Sequence, residues 1–148
     1  RGFAQVGEPR GGDERDALWC GQRGNSIAAR AWEVALVGLT EEEAKKTGRG
    51  IATGKFRFGG LGRAMAAGET VGFVKWIADA ATDQLLGAAV VGPRATDLIA
   101  EAAVAIRAEL TARELGKTIH AHPTFAEAWM EAAHAVHGEC VHAAPKRR

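Results

Sequence analysis

Leu85 to Val91 is almost wholly apolar, and the strand it belongs to, Gln84 to Val91, follows another run of strand-forming residues, Thr70 to Ala78, after only Asp79-Ala80-Ala81-Thr82-Asp83. A parallel crossover needs a dozen or more residues, usually a helix, so this short connection points to an antiparallel hairpin. An apolar run without polar alternation belongs inside a sheet, with both faces covered. Leu85 to Val91 is therefore expected to be the more central strand. In its partner, Val71, Phe73 and Lys75 alternate with Gly72, Val74 and Trp76.

The other elements fall into place around that hairpin. From Ala31, the residues Trp32, Val34, Leu36 and Gly38 alternate with Glu33, Ala35 and Val37, which suggests a half-buried strand. Ile51 to Phe58 reads as another, with Phe56 and Phe58 on one face and Lys55 and Arg57 on the other. Thr40 caps a short helix over Glu41 to Lys46, whose acids lie at its positive end and lysines at its negative end. After Gly92-Pro93, Ala95 to Leu110 forms the longest helix, with Leu98, Ala102, Ala105 and Ile106 near one face, and Thr111 starts a short one through Leu115. The fold class expected is α+β: a largely antiparallel sheet of four or five strands with helices on one side. Its opposite face, or the last helices, should be apolar surface that a partner covers.

Residues 1–30 are rich in glycine, arginine and acids with little apolar periodicity, and are expected to form an irregular leader, tied down by Phe3 or Trp19 where it is tied at all. The folded unit is expected over 31–142, with 143–148 as a basic tail. A formal charge of +1 gives no basic stripe for nucleic acid. No run approaches the roughly 18 apolar residues of a membrane helix, and no signal core stands at the start, so the expected location is the cytoplasm. Cys20 and Cys140 form no redox or metal-binding pair motif. Gly60-x-Gly62 is followed by Met65 where a dinucleotide fingerprint needs its third glycine, so no phosphate cradle is expected there.

The densest chemistry lies in Thr118-Ile119-His120-Ala121-His122-Pro123-Thr124-Phe125-Ala126-Glu127. Pro123 suits the first position of a helix continuing from Phe125 to Val136, which leaves His122 on the connection ahead of it and Glu127 close enough to reach back. A carboxylate beside an imidazole fixes its tautomer and raises its basicity, as a general base near neutral pH requires. Thr124-x-x-Glu127 is also a capping box, a pattern repeated at Thr40-x-x-Glu43 and Thr111-x-x-Glu114, so spacing alone favours a plain helix start, the commoner use of this pattern. His120, His122, His134, His137 and His142 lack a cysteine or carboxylate at ligand spacing, and no metal site is expected.

His120-Ala121-His122-Pro123-Thr124 followed by Glu127 resembles the C-terminal signature of the pyridine nucleotide-disulfide oxidoreductases, in wording nearest its dihydrolipoamide dehydrogenase branch. Val37-Gly38-Leu39-Thr40-Glu41-Glu42-Glu43-Ala44, Gly62-Arg63-Ala64, Gly72-Phe73-Val74-Lys75, Leu86-Gly87 with Val91-Gly92-Pro93, and Leu98-Ile99-Ala100-Glu101-Ala102 resemble that family's interface domain in its order and spacing. Glu33 is retained from a Thr-x-Pro-Glu pattern whose proline is here Trp32. The resemblance implies a homodimer, and a His122–Glu127 general acid/base pair acting on a dithiol beside the flavin and disulfide of the opposite subunit. It implies FAD and NAD for a full-length enzyme, on domains that this chain alone does not supply. The chain is thus expected to be an excised or free-standing interface domain, with a flavin- and nicotinamide-binding partner as its complement. A non-catalytic dimerisation or protein-binding module is the alternative.

Overall fold

The computed structural model of the protein describes residues 32–142; the expected leader 1–30, with Cys20, and the expected basic tail 143–148 lie outside the described residues. Strands β1 (Glu33–Gly38), β2 (Ile51–Arg57), β3 (Phe73–Asp79) and β4 (Leu85–Gly92) form one sheet in the order β1-β4-β3-β2, every neighbour antiparallel. The apolar strand β4 lies inside the sheet between β1 and β3, but β3, between β4 and β2, is equally interior, so β4 is not the more central strand of the hairpin.

Register sorts the side chains into two faces. Phe56, Val74, Val90 and Ala35 form one cross-strand row, and Gly54, Trp76, Ala88 and Val37 the next. Apart from glycine, every member of these rows is a buried core residue. Helix α3 (Ala95–Arg107) covers β1 and β4 with Ala95, Ile99, Ala102 and Ala105, while α5 (Glu127–Val136) covers β2 and β3. Helix α4 (Ala112–Lys117) packs against α5 and starts from the expected Thr111 capping box.

Two features fix α5, the element that carries the candidate site. A Cβ on Gly54 would stand 2.0 Å from the carbonyl oxygen of Ala132, so the helix backbone rests directly on β2. Trp129 of α5 stacks on Trp76 at 4.7 Å, donates its indole N–H to the Leu98 carbonyl at 3.0 Å, and accepts the Trp76 indole N–H on its own carbonyl at 3.0 Å. One buried tryptophan thus binds α5 to both the sheet and α3.

Several boundaries depart from the sequence reading. Strand β3 begins at Phe73 instead of Thr70, because Gly72 adopts φ 136°. Phe58–Gly60 forms a 3₁₀ turn and Gly62–Ala67 a short helix, α2, where the glycines suggested only a break. In β1 the small residues Ala35 and Val37 face the core, whereas Leu36 is 38% exposed. On that outer face, Lys75 pairs with Glu41 of helix α1 (Glu41–Lys46) and the Lys55 ammonium stands 3.6 Å from the centroid of the Phe73 ring.

Candidate histidine–glutamate site

Residues 118–126 carry the chain from the end of α4 to the start of α5. The sequence reading placed Pro123 at the first helical position; the helix instead begins at Glu127, with Ala126 as its N-cap, and Pro123 stands outside it after a cis His122–Pro123 bond. The capping-box reading is half met. Glu127 Oε2 accepts the Thr124 backbone N–H at 2.8 Å, but the Thr124 hydroxyl donates to the Ala121 carbonyl at 2.7 Å and caps nothing. At α1 and α4, by contrast, both halves of the box are formed.

The other oxygen of the same carboxylate faces His122. Nδ1 of His122 lies 2.7 Å from Glu127 Oε1, and the His122 side chain is 76% exposed against 16% for Glu127. Helix start and His–Glu contact are therefore one arrangement, in which each oxygen of Glu127 has its own partner. Burial acts to raise the pKa of Glu127, but the Thr124 N–H, the His122 contact and the charge of His120 outweigh it, leaving the carboxyl below its ordinary value. An ionised carboxylate only accepts, so His122 donates from Nδ1, and in the neutral form of the ring the lone pair is then on Nε2.

His120 makes a pair that the sequence reading did not anticipate. Its Nε2 lies 2.7 Å from Glu101 Oε1 on α3, and its Nδ1 lies 3.0 Å from the Thr118 carbonyl oxygen. Glu101 stands 19 residues away, so only the packing of α3 beside this connection brings the two together. The remaining histidines are dispersed: His134 meets the Gly116 carbonyl at 2.6 Å, His137 meets Asp83 at 3.0 Å, and His142 meets Glu131 at 2.5 Å. Among the described residues no three His, Cys, Asp or Glu side chains converge as metal ligands.

Glu131 is a second residue that the sequence did not flag. Only 3% exposed, it gathers the Cys140 thiol at 3.0 Å and the Val141 and His142 backbone N–H groups at 3.1 and 3.3 Å, tying the chain after α5 back onto the helix. A Cβ on Gly60 would meet the Phe56 ring at 2.6 Å and the His142 carbonyl at 3.1 Å, so this glycine allows close packing within the protein.

A single antiparallel sheet backed by helices, with a His–Glu contact at the start of the last helix, defines an α+β domain. The family model described as the pyridine nucleotide-disulphide oxidoreductase dimerisation domain matches residues 26–133, and the chain belongs to that family. It is 52% identical over 117 residues to dihydrolipoyl dehydrogenase of Thermus scotoductus, covering 79% of this chain and 25% of that protein. Its identity to the Bacillus subtilis dihydrolipoyl dehydrogenase is 49% over 110 residues, covering 74% of this chain and 23% of the relative. Among solved structures, LpdA from Mycobacterium tuberculosis superposes with a TM-score of 0.64 at 28% identity, over 79% of this chain and 27% of that one. The HOCl-induced flavoprotein disulfide reductase RclA from Escherichia coli gives 0.64 at 25% identity, over 80% and 29%. The chain spans about a quarter of the length of these relatives. No described helix is long and apolar enough to cross a membrane.

Proposed function

We propose that this chain is the dimerisation domain of a flavin-dependent disulfide oxidoreductase of the dihydrolipoamide dehydrogenase type, supplying a homodimer contact and a general acid/base pair, His122 and Glu127. The carrying observation is the 2.7 Å contact between His122 Nδ1 and Glu127 Oε1, on a ring that is otherwise open to an incoming group. The folded unit is taken as 31–142, with 1–30 as a leader and 143–148 as a basic tail, in the cytoplasm. FAD and NAD belong to other domains of the full-length enzyme, where they take up and pass on the two electrons released by the dithiol.

In this reading His122 Nε2 takes the proton of a substrate thiol as its sulfur attacks one sulfur of a disulfide held outside this chain. A substrate–protein S–S bond forms, the original S–S bond breaks, and the second sulfur leaves as a thiolate. His122 returns its proton to that thiolate, takes the proton of the substrate's remaining thiol as its sulfur attacks the mixed disulfide, and passes this second proton to the protein sulfur displaced. Oxidised substrate departs and a protein dithiol remains. A positioned base contributes about 10²–10⁴-fold to such a step. Ile119, 95% exposed beside the site, offers an apolar side chain that a partner subunit could cover.

The test mixes the purified chain with a related dihydrolipoamide dehydrogenase truncated before its interface domain. Restored dithiol-dependent NAD reduction that His122→Gln abolishes supports the reading. Stable dimers without rescue would mark the chain as a non-catalytic dimerisation or binding module.

A further inference from the structure

We propose that His120 is a positioning residue of the same site: an imidazolium held between two acceptors, which pins the His122 segment to α3 and adds to the groups that favour the carboxylate form of Glu127. The inference rests on the reading of His122 and Glu127 as an acid–base pair and assigns that pair a third member.

Hydrogen-bond accounting carries it. The two neighbours of the His120 ring are the Thr118 carbonyl oxygen at 3.0 Å and a Glu101 carboxyl oxygen at 2.7 Å. A carbonyl only accepts, and so does an ionised carboxylate, whereas neutral imidazole carries a single N–H. A neutral ring between these two would set a lone pair against a lone pair. The ring is 6% exposed, so water does not replace either partner. One neutral alternative moves the proton onto Glu101. That carboxyl is 32% exposed, where solvent favours its charged form, so the proton stays on the ring.

The charges acting on His120 are Glu101 from α3 and Glu127 from the start of α5, with the Thr118 carbonyl at the end of α4. Its pKa is raised, first by the hydrogen bond to Glu101, against the opposing effect of burial. In return the His120 charge is among the influences that lower Glu127. The consequence reaches His122. A protonated Glu127 can donate to Nδ1 and leave the N–H on Nε2, which then cannot accept a thiol proton. A fixed cation nearby disfavours that state.

The experiment is ¹⁵N NMR of the histidine ring nitrogens and ¹³C NMR of the Glu127 carboxyl across a pH series on the 148-residue chain, with Glu101→Gln and His120→Gln beside it. We expect both His120 nitrogens to stay protonated at pH values where a free imidazole has lost its proton, and Glu101→Gln to lower the His120 midpoint. His120→Gln should raise the Glu127 midpoint by about half a unit or more. A His120 that loses a proton as a free imidazole does, or an unmoved Glu127 in a folded His120→Gln chain, overturns the inference. The first of these needs no variant to fold. Neither outcome bears on rescue of the truncated enzyme, so the two readings fail separately.

Discussion

Glu127 serves two donors at once, and its side chain is short enough that neither contact survives if the helix begins elsewhere. Because its folded pKa is depressed, its stabilising contribution is present above the unfolded value, about 4.3, and is lost as pH falls through the lower folded value. Urea unfolding across that acid range should therefore show a stability loss in the wild-type chain that Glu127→Gln diminishes. An identical pH slope in both would remove the ionised pair from the account. His122 and Glu127 were legible in the sequence because they lie 5 residues apart in one motif, within reach through local backbone alone. His120 with Glu101, and Glu131 with the residues after α5, were not, since their pairing is made by tertiary packing that no spacing rule encodes. Pro123 misled for a related reason. Proline suits a first helical turn, yet here the chain turns once more before the helix begins.

At the scale of elements, the site stands where α5 holds it, and α5 stands where Gly54 allows. The atom that a Gly54 side chain would meet first is backbone, the Ala132 carbonyl, so the strain cannot be relieved by a rotamer change. Gly54→Ala should destabilise the chain by about 1–3 kcal/mol, the usual cost of overpacking, with a lowered urea midpoint as the measure. A wild-type midpoint would mean that α5 does not lie against β2. The hairpin of β3 and β4, the interior place of β4 and the caps of α1 and α4 follow from local patterns and were readable in advance. Which face of β1 is buried was not. Alternation gives two faces, and the neighbours across β4 decide between them; they select Ala35 and Val37, leaving the larger Leu36 outside.

For the whole molecule, the account makes one chain supply both a subunit contact and half of a reactive site. Burial of an isoleucine is worth about 1.5–3 kcal/mol, so Ile119→Asp should weaken assembly by at least about tenfold while leaving the chemistry of an assembled pair intact. The decisive measurement is the rate of dithiol-dependent NAD reduction by the truncated relative as this chain is titrated in. The account expects His122→Gln to reach half-saturation at the wild-type concentration with a plateau lower by about 10²–10⁴-fold, and Ile119→Asp to reach the wild-type plateau only at higher concentration. A His122→Gln titration that overlies the wild-type curve would contradict it.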